Sequence, residues 1–151
     1  MKKGRVVHHG PNGDCTLDIT QGAAGELVAT NAENVDPASV SWLPPVAEPG
    51  TIFALGLNYA DHASELAFEP PKEPLVFLKH SNCLTGHMQD SYRPDNVKFQ
   101  HYECELVAVI GKRARKIQRR EAMDYVTGFT VCNDFTIRDY LENYYRPNLR
   151  V

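Results

Sequence analysis

Two acidic residues alternate at the head of an unbroken apolar run in His101-Tyr102-Glu103-Cys104-Glu105-Leu106-Val107-Ala108-Val109-Ile110-Gly111, and no other stretch restricts the chain as much. Successive side chains on a strand point to opposite faces, so Glu103 and Glu105 project the same way and repel one another. Burying such a pair is costly unless a cation compensates it, and hard divalent ions prefer carboxylate oxygen. The run therefore predicts a strand that supplies half of a magnesium, manganese or calcium site. An exposed edge strand would carry the same Glu-x-Glu letters. Residues 107–110, however, are apolar at both parities, which predicts a strand covered on both faces and only partly exposed at its start.

A second segment, YVTGFTVC at residues 125–132, is rich in β-branched and aromatic residues and runs directly into Asn133 and Asp134. It predicts another core strand. Asp134 at its end is placed to complete a set of three carboxylates with Glu103 and Glu105. The competing reading makes Asn133 or Asp134 the cap of a helix over residues 135–145, with Asp139 inside it.

Four motifs in order, GLNYADHASEL (56–66), PLVFLKHSNCLTG (74–86), HYECELVAVIG (101–111) and GFTVCNDFTIRD (128–139), resemble the fumarylacetoacetate hydrolase family. The resemblance extends over residues 42–151. It implies an α+β, mainly β fold, the mixed β-roll of that family, here C-terminally truncated. Residues 1–49 are then a small N-terminal β section, and residues 50–151 the N-terminal part of the catalytic domain. The resemblance is strongest to the branch that decarboxylates 5-carboxymethyl-2-oxo-hex-3-ene-1,7-dioate and isomerises 2-hydroxyhepta-2,4-diene-1,7-dioate in aromatic catabolism. Carried over residue by residue, it makes Glu103, Glu105 and Asp134 the metal ligands, with Mg2+ or Mn2+ as the ion. It also assigns general acid/base duty to His62 supported by Glu65, three residues apart and on one face if helical. A helix cap at Asn58 or Asp61 accounts for the same letters.

Two cations are candidates for binding a substrate carboxylate. Lys79 closes the apolar strand 74–79, and Arg138 offers a planar fork about one helical turn after Asp134. A structural ion pair from Arg138 to Asp139 or Glu142 is the alternative. Hydrolysis of a carbon–carbon bond in an acylpyruvate is a second activity of the same family, and an inactive fragment a third reading, because members of the family continue beyond residue 151. Sheet edges left unpaired by such a truncation favour a homo-oligomer.

Composition narrows the classes. The 151 residues carry a formal net charge of -3 and 42% hydrophobic residues, ordinary for a globular domain. No apolar stretch reaches membrane-spanning length, and the start MKKGR leads into polar residues, so a soluble cytoplasmic protein is expected. Cysteines at 15, 83, 104 and 132 form no CxxC pair and predict neither a zinc site nor a disulfide framework. The basic run of Lys112, Arg113, Arg115, Lys116, Arg119 and Arg120 suggests nucleic acid, but it lacks interleaved aromatics and lies where two strands must be joined by a solvated turn. A small-molecule 2-oxo di- or tricarboxylate is the expected partner. At the N-terminus, residues 5–9, 15–20 and 26–30 alternate with Gly-containing turns and predict a small β-meander, followed by a stiff Pro-rich junction at residues 42–50.

Overall fold

The computed structural model describes residues 2–31, 33–59 and 72–140, in two compact units, Met1–Asp90 and Ser91–Val151. The regular elements among the described residues are eleven strands and short 3-10 turns. The mainly β expectation holds. No helix among them is long and apolar enough to cross a membrane.

The first unit is built on a five-stranded antiparallel sheet in the order β4-β3-β2-β1-β5. Its strands are β1 (Lys2–Gly10), β2 (Gly13–Gln21), β3 (Leu27–Ala29), β4 (Asn34–Val35) and β5 (Val40–Leu43). The β1–β2 turn follows from its letters: Pro11 presets its own φ, and Gly13 takes φ +105°, a value that side chains resist. Gly10 then pairs with Gly13, and every later pair is fixed, including Val6 with Leu17 and Arg5 with Asp18. Period-two alternation sends Val6, Ile19, Leu27, Ala29 and Val35 into one buried cluster, with Leu17, Val40 and Trp42 against it. Each large aliphatic side chain so buried contributes about 1.5–3 kcal/mol.

The opposite face is polar. Arg5 Nε lies 3.6 Å from Asp18, and His9 bridges two neighbouring strands, with Nδ1 2.8 Å from Asp14 Oδ1 and Nε2 2.9 Å from Ser41 Oγ. The predicted meander accounts for β1 to β3. It missed β5, because Trp42 and Leu43 sit beside two prolines and read as a junction. In the structure Trp42 pairs with Val6, and Asp36 makes the turn into β5 by accepting the Ala38 N–H at 2.9 Å.

The strands β6 (Ile52–Gly56) and β7 (Leu75–Lys79) form an antiparallel pair in the same unit, with Ile52 opposite Lys79. Beyond β7 the chain passes closely over β5. A Cβ on Gly86 would collide with the Trp42 carbonyl, while His87 meets the Trp42 ring edge-on at 5.8 Å between centroids.

The second unit holds β8 (Gln100–His101), β9 (Cys104–Ile110), β10 (Val126–Asn133) and β11 (Thr136–Ile137). β9 pairs with β10 and β8 with β11, both antiparallel. The basic run is the exposed link from β9 toward β10. It ends in a 3-10 turn, Arg119–Tyr125, capped reciprocally by Gln118 and Glu121.

Two expectations are corrected here. Residues 135–145 do not begin as an α-helix: Thr136 and Ile137 pair with His101 and Gln100, and Arg138–Tyr140 is a single 3-10 turn, which removes the helix-cap reading of Asp134. The β9–β10 ribbon is also not covered on both faces, since Leu106, Ile110, Phe129 and Val131 are each more than half exposed along one side. Apolarity at both parities indicates that a face is destined for burial, whatever supplies the cover.

The Gly86 approach gives a direct test. Gly86→Ala should lower unfolding stability by about 1–3 kcal/mol, the usual cost of overpacking, as measured by urea denaturation. A variant as stable as the parent would mean that the loop does not rest on β5.

Candidate metal centre

The acidic site is built by the β9–β10 register. Glu105 stands opposite Cys132 and Cys104 opposite Asn133, and one pair beyond these, two from Glu105, the ladder is continued by the Asp134 N–H, which donates to the Glu103 carbonyl at 2.8 Å. Paired residues on antiparallel strands share a face. Glu103, Glu105 and Asp134 therefore project from the same side of the ribbon, and all three are partly buried, whereas Cys104 between the two glutamates is exposed. The Glu103 N–H does not return to Asp134; it donates to Asn133 Oδ1 at 3.0 Å. The Asn-Asp doublet thus grips the Glu103 backbone from both sides.

Glu103 is also held through its side chain. Arg138 Nη2 donates to Glu103 Oε1 in an ion pair whose members are only 18% and 24% exposed. A charge-assisted bond shielded from solvent in this way is worth about 1.5–3 kcal/mol. Of the partners weighed from sequence for Arg138, Asp139 accepts backbone amides instead, and Glu142 lies outside the described residues. Part of the positive charge that the alternating glutamates call for is thus supplied from within the chain.

Arg138 is itself fixed by the backbone. Its N–H donates to the Phe99 carbonyl at 2.9 Å, and the next residue, Asp139, accepts the amides of Lys98 and Phe99 at 3.1 and 2.7 Å. The Phe99 N–H is the main reason that the Asp139 carboxyl is held below its ordinary value; desolvation opposes this, and the Lys98 N–H adds to it.

Three oxygen donors on one face fit a hard divalent cation by donor chemistry. In the present arrangement, no three His, Cys, Asp or Glu side chains among the described residues are gathered closely enough to hold an ion, and Glu103 is turned toward Arg138. The structure thus brings the predicted carboxylates to one surface without closing them into a cluster. Lys79 lies at the end of β7, in the first unit, with its ammonium 6.0 Å from the Phe77 ring centroid. His62 and Glu65 lie outside the described residues. The sequence reading missed the roles of Asn133 and Asp139. Both stand in NDFTIRD, where the competing helix reading accounted for Asn133 as a cap and for Asp139 as a helical residue.

The fumarylacetoacetate (FAA) hydrolase C-terminal domain matches residues 51–150 of the chain. The chain belongs to the fumarylacetoacetate hydrolase family. Over 107 residues, 71% of this chain and 25% of the relative, it is 71% identical to the 4-hydroxyphenylacetate degradation bifunctional isomerase/decarboxylase of Salmonella dublin. Identity to the mitochondrial oxaloacetate tautomerase of Bos taurus is 35% over 128 residues, covering 85% of this chain and 40% of that protein. Among solved structures, 5-carboxymethyl-2-hydroxymuconate delta-isomerase from Mycobacterium smegmatis superposes with a TM-score of 0.70 at 28% identity, covering 92% of this chain and 56% of that one. The chain spans about a quarter of the length of the Salmonella relative.

The depressed Asp139 group has a definite linkage sign. A carboxyl whose folded-state value lies below its unfolded value contributes stability that is complete above the unfolded value and is lost as pH falls through the folded one. Amide exchange at Lys98 and Phe99 should accelerate on the acid side of the ordinary aspartate range in the parent. In Asp139→Asn that acid-side step should vanish; an unchanged step would assign it to another group.

Proposed function

We propose that this chain carries the metal-binding part of a decarboxylase/isomerase for 2-oxo di- or tricarboxylates of aromatic catabolism. The substrates would be 5-carboxymethyl-2-oxo-hex-3-ene-1,7-dioate and 2-hydroxyhepta-2,4-diene-1,7-dioate. The observation that carries the reading is the continuation of the β9–β10 ladder to the Glu103–Asp134 pair, which gives three carboxylates a common face. The 71% identity to the Salmonella bifunctional enzyme supports the choice of substrates.

Glu103, Glu105 and Asp134 would hold Mg2+ or Mn2+. When bound, such an ion supplies a Lewis acid for the charge that gathers on the 2-oxo oxygen of the substrate. Arg138 aims the Glu103 carboxylate through its contact to Oε1. In decarboxylation the carbon–carbon bond to the departing carboxylate breaks, carbon dioxide leaves, and the electron pair moves along the conjugated chain toward the 2-oxo oxygen. His62, oriented by Glu65, then delivers a proton to carbon. Isomerisation uses the same residues, except that His62 removes a proton from one carbon and returns it at another. Lys79 would offer its ammonium to a distant substrate carboxylate. Arg138, already paired, acts on Glu103 in this scheme instead of gripping the substrate, a change from its role as read from sequence.

A second reading, keto–enol tautomerisation of a short 2-oxo diacid, is favoured by the 35% identity to the oxaloacetate tautomerase. It needs the same ion and the same proton shift. Comparing carbon dioxide release from the carboxymethyl substrate with enol-to-keto conversion of oxaloacetate separates the two.

Manganese titration followed by electron paramagnetic resonance tests the site apart from turnover. Glu103→Gln, Glu105→Gln and Asp134→Asn should each weaken manganese binding by about tenfold or more, since each removes a charged ligand of a hard ion. Unaltered affinity in any one of them would refute the assignment.

A further inference from the structure

We infer that Asp139 is a positioning residue for the carboxylate site, acting through Arg138 on Glu103, and this inference rests on the metal-site reading above. The strands β8 and β11 are two residues each, too short to fix one another in water by their ladder alone. Asp139 reinforces that join. Its Oδ1 accepts the Lys98 N–H at 3.1 Å and its Oδ2 the Phe99 N–H at 2.7 Å, so a single carboxylate clasps two consecutive amides. The Arg138 N–H to Phe99 carbonyl bond, 2.9 Å, lies directly beside this clasp.

The consequence is transmitted along a short covalent path. With residues 136–139 fastened to residues 98–101, the Arg138 backbone is fixed opposite the approach to β9, and its guanidinium meets Glu103 Oε1. Glu103 lies only two residues past His101, and its backbone is gripped independently by Asn133 and Asp134. The backbone of Glu103 is therefore set by the Asn-Asp doublet, and the direction of its carboxylate by Arg138. Releasing the clasp would free Arg138 to swing, and the Glu103 carboxylate with it. Both Asp139 oxygens are taken by the Lys98 and Phe99 amides, which separates its role from that of the ligand set.

The experiment uses the full chain and Mn2+ as the probe. Manganese affinity and the spectral line shape would be measured for the parent, Asp139→Ala, Asp139→Asn and Glu103→Gln, with amide exchange at Lys98 and Phe99 recorded in parallel. Loss of a residue that orients a ligand without touching the metal costs about 10–100-fold in affinity. Asp139→Ala should fall in that range, with a broadened line shape and fast exchange at both amides. Asp139→Asn keeps one acceptor oxygen and should be partly rescued, with one amide still protected. If the alanine variant fails to fold, the asparagine variant decides, and parent-like affinity in it overturns the inference. Asp139→Ala with open amides but parent-like affinity overturns it too while leaving the site intact. If Glu103→Gln also binds as the parent does, the site reading itself has failed.

Discussion

The ion pair between Arg138 and Glu103 is the contact on which the acidic face depends. Two glutamates two positions apart, one on β9 and one just before it, with an aspartate opposite one of them, would repel if left alone in a partly dry setting. The guanidinium offsets one of the three acids. It comes from a segment that follows Asp134 by four residues, so the loop that carries the last acid also carries its counter-ion. The β8–β11 pairing then works as a scaffold for a charge, and its small size matters less than where it puts Arg138.

The strands of this region could be read from sequence because alternation and β-branching dominate there. β9 and β10 are long enough for their pattern to outweigh local propensity, and Glu103, Glu105 and Asp134 fall on one face as expected. The segment after Asp134 could not be read in the same way. Asn, Asp and Thr followed by Ile, Arg and Asp satisfy a helix start as well as an extended strand, and the choice was made by a distant partner, the backbone of residues 98–101. The partner of Arg138 was hidden for the same reason. Sequence spacing suggested neighbours within a helical turn, while the actual acid lies 35 positions away. His62 and Glu65 were assigned from the family resemblance and lie outside the described residues, so they rest on sequence still.

The first unit shows the converse. Its hairpin register follows from one turn, its core from period-two alternation, and its polar face from the residues left over. The exception is β5, where Pro44 and Pro45 masked a four-residue strand. Proline cannot donate to a ladder, but it does not prevent a strand from ending just before it. Trp42 is the residue that explains the difference, since it covers the cluster around Val6 and also receives the loop at Gly86.

Strand termini ordinarily fray. Glu103, just outside β9, is held three times over, by the Asp134 amide, by the Asn133 side chain and by Arg138. The acidic end of the ribbon is thereby stiffened where a two-stranded ladder would otherwise loosen first.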